Sequence, residues 1–176
     1  NIAITFQHIG EVYFKMKDSA KAAIYFNKSL YTFEQTENKE GLALIYGHLA
    51  SLFTADSVQK KISLLLKAQS IWDSTYAKHP NALTNMGNLG ELFLLLAKTK
   101  PNSLLLAEKK TITGKNNFLQ QASDYIKKGI ALREEGKGVN NFAYLNSILS
   151  AIEEEKGDYK NALFHFKTFY TLTDSI

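Results

Sequence analysis

Apolar residues recur along this chain at i, i+3, i+4 and i+7, and nowhere do apolar and polar positions alternate long enough to make a strand, so the pattern predicts helix throughout. The interruptions carry helix start and stop residues: Asp18-Ser19, Asp56-Ser57 and Gly157-Asp158 at one set of breaks, Glu40-Gly41, Pro80-Asn81 and Gly136-Lys137-Gly138 at the other. Asp or Ser at such a point can accept a hydrogen bond from a free N–H of the helix that follows. Cut there, the chain gives eight amphipathic helices at 2–16, 19–36, 40–54, 57–77, 81–98, 117–135, 139–156 and 159–175. A short ninth is expected within 102–110, formed by Ser103 to Ala107 over an edge of the core, with 111–116 mobile.

The helices repeat. A bulky residue, two others, Ile or Leu, then a small residue occurs as Phe6-x-x-Ile9-Gly10, Tyr46-x-x-Leu49-Ala50, Met86-x-x-Leu89-Gly90 and, degenerate, Asn146-x-x-Leu149-Ser150, the small residues falling 40, 40 and 60 apart. An aromatic follows three residues later at Tyr13, Phe53 and Phe93, whereas the fourth unit has Glu153. A second signature comes after each: Ala22-x3-Phe26 with Ser29, Lys61-x3-Leu65 with Ala68, Ala122-x3-Ile126 with Gly129, and Ala162-x3-Phe166. The extra length lies between Phe93 and Ala122, which places an insertion at 98–116. Repeats therefore span about 2–36, 40–77, 81–135 and 139–175, read as one domain over 1–176.

These two signatures resemble those of the tetratricopeptide repeat (TPR) family, whose first helix reads bulky-x2-Leu-Gly-x2-Tyr and whose second reads Ala-x3-Phe-x2-Ala. The first unit matches at Phe6, Ile9, Gly10, Tyr13, Ala22, Phe26 and Ser29, and the fourth keeps Gly157-Asp158-Tyr159 before Ala162 and Phe166. The resemblance implies an all-α, right-handed superhelical solenoid of about four antiparallel helix pairs, with Phe6, Gly10, Tyr13, Ala22, Phe26, Ala50, Phe53, Gly90, Phe93, Ala122, Ala162 and Phe166 in the repeat packing. The period near 40 exceeds the usual figure of about 34, and Lys61 and Glu153 stand where the family has Ala and Tyr.

The resemblance also implies where a ligand would sit. First helices line a concave groove, and the residues three before and one after the small residue point into it: Gln7 and Glu11, Gly47 and Ser51, Gly87 and Glu91, Ser147 and Ala151. That set lacks the Lys and Asn array with which some TPR domains clamp an acidic peptide C-terminus, so the expected partner is another kind of protein or peptide. The long period, the insert and the aromatic ending 164–176 are similar in style to the TPR sensory regions of Bacteroidetes-type two-component proteins. A general scaffold or adaptor is the alternative, and an enzyme built on a helical solenoid a remote one. In the last helix Phe164, Phe166, Phe169, Tyr170 and Leu172 spread around most of the circumference, so Phe169 and Tyr170 are expected to meet a partner or a second copy, as a homodimer. A first residue other than Met and a last segment still in helical pattern imply a piece of a longer protein.

Composition narrows the chemistry. There is no cysteine, which removes thiol catalysis, disulfides and Cys-ligated metals and leaves cytosol and bacterial periplasm both open. The longest apolar run, Leu92 to Ala97, is far short of the ~18 residues that cross a bilayer. Although the net charge is +4, only Arg133 of the 21 basic residues is arginine and the lysines are scattered, so nucleic acid is not the expected partner. No phosphate-loop, zinc-protease, hydrolase-elbow or dinucleotide motif occurs, and neither a catalytic residue nor a cofactor is expected. His8 and His48 hold equivalent repeat positions about one repeat apart, and no metal set is expected from them. His79 reads as loop, His165 as an outer helix face, and Glu153-Glu154-Glu155 as a solvated run.

Overall fold

The computed structural model describes residues 2–54, 57–99, 104–105, 111–112, 114–132 and 139–174. Its helices are α1 (Ile2–Lys15), α2 (Ser19–Gln35), α3 (Lys39–Ser51), α4 (Val58–Thr75), α5 (Pro80–Thr99), α6 (Lys115–Ala131), α7 (Val139–Glu155) and α8 (Tyr159–Asp174). Between α5 and α6 lies a two-residue antiparallel ladder, β1 (Leu104–Leu105) against β2 (Thr111–Ile112). The fold class is the all-α helical repeat that the sequence pattern predicts. Contacts divide the chain into two compact units, Asn1–Ala77 and Lys78–Ile176. No described helix is long and apolar enough to cross a membrane.

Each unit is two antiparallel helix pairs. In the first, α1 packs on α2 and α3 on α4, and α2 receives α3; in the second, α5 packs on α6 and α7 on α8, and α6 receives α7. The small residues of the first signature sit where helices cross closely. A Cβ on Gly10 would lie 2.5 Å from the Phe26 ring, and one on Gly90 would collide with Ile126. Between pairs the same device recurs with Gly41 beneath Phe33 and Gly129 beneath Leu145. Hydroxyls also tie the two helices of a pair: Ser29 Oγ of α2 donates to the Ala3 carbonyl of α1, and Ser150 Oγ of α7 to the Ala162 carbonyl of α8, both at 2.8 Å.

Three of the turns share one chemistry. Lys17 (φ 61°), Glu37 (φ 50°) and Gly157 (φ 82°) close the preceding helix in the left-handed region, and the next residue, Asp18, Asn38 or Asp158, opens the following helix. Its backbone N–H reaches back to Tyr13, Phe33 or Glu153 at 2.9–3.1 Å, while its side chain accepts from the N–H three residues on. The second of these start signals is therefore Asn38, not Glu40-Gly41. Replacing Asn38 by Ala removes the acceptor 2.8 Å from Gly41 N. We expect this to cost about 1 kcal/mol, read as a lowered denaturation midpoint, with Asn38→Asp close to the parent.

Several expectations are corrected. Leu104–Leu105 pair as strand with Thr111–Ile112 instead of forming a helix, since a helix of little more than one turn cannot repay its nucleation; the remaining residues of 100–113 lie outside the described set. α3 ends at Ser51 rather than 54, because Leu52 and Phe53 close with tight bonds to the carbonyls three residues back, so Phe53 follows the helix, half-buried, with Lys60 Nζ 6.0 Å over its ring. Phe166 is 53% exposed, whereas Phe26 in the same repeat position is 0% exposed, because no described helix covers α8 as α3 covers α2.

Candidate functional site

In the first unit the groove positions of α1 meet α3. Gln7, buried, and Glu11, half-buried, lie one turn apart, and Gln7 Nε2 donates to Glu11 Oε1 at 2.9 Å. His48 reaches the same carboxylate from α3, its Nε2 3.1 Å from Glu11 Oε1 and 3.4 Å from Gln7 Nε2. With the proton on Nε2, the ring and the amide both donate to one carboxylate oxygen. The imidazole is fixed from behind by Phe26, stacked at 5.2 Å and 16°. Gly47, beside His48 in sequence, has nothing within 4 Å of where a Cβ would be, so space is left open there. Ser51 is exposed and turns its hydroxyl back to the His48 carbonyl at 2.6 Å.

Burial holds the His48 pKa below its ordinary value, against the pull of Glu11, and His8 adds to the lowering. The folded chain thus binds fewer protons at this site than the unfolded chain, so the contribution is complete above about pH 6.5 and is lost as pH falls below it. We expect the melting temperature to drop between about pH 7.5 and about pH 5.5, and to drop less in His48→Gln. His165 shifts in the same direction, chiefly by burial, so the difference between parent and variant is the quantity to read.

In the second unit Gly87 and Glu91 of α5 meet Tyr144 of α7. The Tyr144 ring lies so close over Gly87 that any Cβ there would strike it. Its hydroxyl donates to Asn88 Oδ1 at 3.3 Å. Burial raises its pKa strongly, and the charge and hydrogen bonding of Glu91 raise it further. Ser147 bonds its own helix, donating to the Tyr144 carbonyl at 2.7 Å, and Ala151 is half-buried. The residues brought together are therefore Gln7 and Glu11 with His48, and Gly87 and Glu91 with Tyr144 and Asn88.

The last pair holds polar groups that were expected to face solvent. Glu153, buried at the ring position of the repeat, takes Lys156 at 3.3 Å and Lys127 at 3.6 Å, while Glu154 alone of the run is exposed. Glu155 pairs with Lys115 and, at 3.7 Å, Lys98. His165 faces inward: its Nδ1 is 3.0 Å from Asn146 Oδ1. Beyond them, Phe169 is half-buried and Tyr170 exposed. Among the described residues no three His, Asp or Glu converge as a metal-ligand set.

No protein-family model matches the chain, and no curated protein sequence matches it either. Among solved structures, the crystal structure of BtubC (BKLC) from P. vanneervenii superimposes with a TM-score of 0.76 at 14% identity, covering 98% of this chain. The chain spans 63% of BtubC's length. Two structures of MamA from Desulfovibrio magneticus RS-1, residues 41 to the end and the ArsTM double mutant, align over 99% of the chain at 14% identity, with TM-scores of 0.36 and 0.38. The BtubC likeness is one of fold, and that fold is TPR-like.

Proposed function

We propose that the chain is a non-catalytic protein-interaction module, a scaffold or adaptor whose first helices hold an extended segment of a partner protein. The observation that carries this reading is the Gln7–Glu11–His48 cluster, where polar groups from successive pairs converge beside the open space at Gly47. The second unit supports it with Glu91 exposed next to Tyr144 and Asn88. In both places the fixed charge is a carboxylate, so the fitting segment supplies donors: lysine or arginine side chains, or free backbone N–H groups.

Anisotropy titrations with labelled basic, neutral and acidic peptides test the idea. Basic peptides should bind, and Glu11→Lys and Glu91→Lys, titrated well below the melting temperature of each variant, should each weaken them several-fold. Equal binding of all three peptides, or indifference to both substitutions, would remove the groove from consideration. A narrower form makes this module the sensory region of a bacterial two-component protein. Its support is the aromatic surface of α8, and a histidine-kinase or helix-turn-helix output on the same polypeptide would decide for it over a general scaffold.

A further inference from the structure

Two histidines act on the α1–α3 cluster, and they are placed differently. His48 is half-buried, its ring set between Phe26 of α2, stacked at 5.2 Å, and the Gln7 and Glu11 side chains of α1. His8, one turn before Glu11 on α1, is exposed. A carboxylate only accepts, so the His48 nitrogen 3.1 Å from Glu11 Oε1 carries its proton there. The second proton of a charged imidazole then goes to Nδ1, and no side chain has to move for the ring to charge.

The surroundings leave that charge to act on Glu11. From α2 the ring meets Phe26, while Lys21 and Lys28 of that helix lie over Tyr13 and over Phe6 and Tyr25. Of the lysines of α4, Lys60 and Lys67 lie over Phe53 and Tyr46. The charged groups that bear on His48 are Glu11 and His8, and burial keeps the ring neutral to lower pH than an ordinary histidine, against the pull of the carboxylate. With the ring neutral, the cluster presents the full negative charge of Glu11. Glu91 in the second unit is faced by Tyr144, which burial and Glu91 itself keep neutral, so its carboxylate has no such neighbour.

We propose that protonation of His48 is an off-switch for the groove: the charged imidazole neutralises Glu11 and repels the lysine or arginine of a bound segment, which is released as pH falls from about 7.5 toward about 5.5. This rests on the reading of the groove as a site for basic segments. Linkage makes the effect reciprocal, so a bound basic segment must lower the affinity of His48 for its proton by the same factor.

Anisotropy titrations with a labelled lysine-rich peptide free of histidine, at about pH 7.5 and about pH 5.5, test it at a temperature where every protein compared keeps its helix content at both. The parent should lose affinity several-fold on acidification. His48→Gln still offers Glu11 a donor but takes no charge, and should bind alike at both pH values, whereas His8→Gln and Glu91→Lys should keep the parent's dependence. If His48→Gln does not fold, the parent supplies the readout: the Cε1 proton resonance of His48 should titrate at lower pH with the peptide bound. Absence of binding at the higher pH would remove the groove reading and the switch with it. Binding that is equal at both pH values, a dependence that survives in His48→Gln or vanishes in His8→Gln, or a His48 titration unmoved by saturating peptide overturns the switch alone.

Discussion

Phe26→Ala should cost the chain about 3–5 kcal/mol, while Phe166→Ala at the same position of the fourth repeat should change stability by no more than about 0.5 kcal/mol when measured at dilution. The two residues share their sequence signature, Ala-x3-Phe, and their place on the second helix of a pair. They differ in what covers them. Phe26 is 0% exposed, held between the bare backbone of Gly10 and the stacked imidazole of His48. Truncating it opens a cavity that Gly10 cannot fill, and it also unseats the ring that reaches Glu11. Phe166 has more than half its surface in solvent, so the alanine loses little burial. Urea titrations of both variants give the comparison; equal losses would mean that the fourth pair is covered as the first is.

That contrast shows where the sequence is and is not legible. Helix pairs and their phase could be read because each helix's buried stripe is a local property: Gly10, Ala22, Gly90 and Ala122 lie at the crossings their spacing predicts. Exposure of Phe166 could not, since it depends on a neighbouring helix rather than on the residue or its signature. The insert was illegible for a related reason, as Leu104 and Leu105 are held by Thr111 and Ile112 and carry no period of their own.

The candidate site divides the same way. Gln7 and Glu11 follow from register on one helix, but His48 lies 41 residues from Gln7, and a search for partners one turn away on the same helix passes over it. A usable signal was present. The position two before the small residue is polar in three successive repeats, His8, His48 and Asn88, and two of these, His48 and Asn88, meet the neighbouring first helix. Tyr144 carried no such signal, since Gly47 at the same repeat position as Gly87 has nothing within 4 Å of a Cβ. Burial of Glu153 is not legible in the sequence, because a carboxylate at an aromatic position looks solvated until Lys127 and Lys156 are placed beside it.

Two glycines at unlike places in the repeat should respond to side chains with opposite sign. At Gly90 a Cβ would already press on Ile126, which is fully buried and backed by α5 and α6, and the Ala122 carbonyl is 3.6 Å away. Gly90→Leu adds four carbons where one does not fit, so the pair must separate or Ile126 must leave its rotamer, at a cost of about 1–3 kcal/mol. At Gly47, in the interior of α3, nothing lies within 4 Å of the new atom. There Gly47→Ala only restricts the unfolded backbone and favours the helix, a gain of about 0.5–1 kcal/mol. Thermal melts of the two variants would show the parent lying between them. Because Gly47 borders the His48 cluster, the stabilised Gly47→Ala variant should also bind basic peptides less tightly if the open space there admits a partner's chain. A Gly90→Leu protein as stable as the parent would mean that α5 and α6 do not cross at that residue.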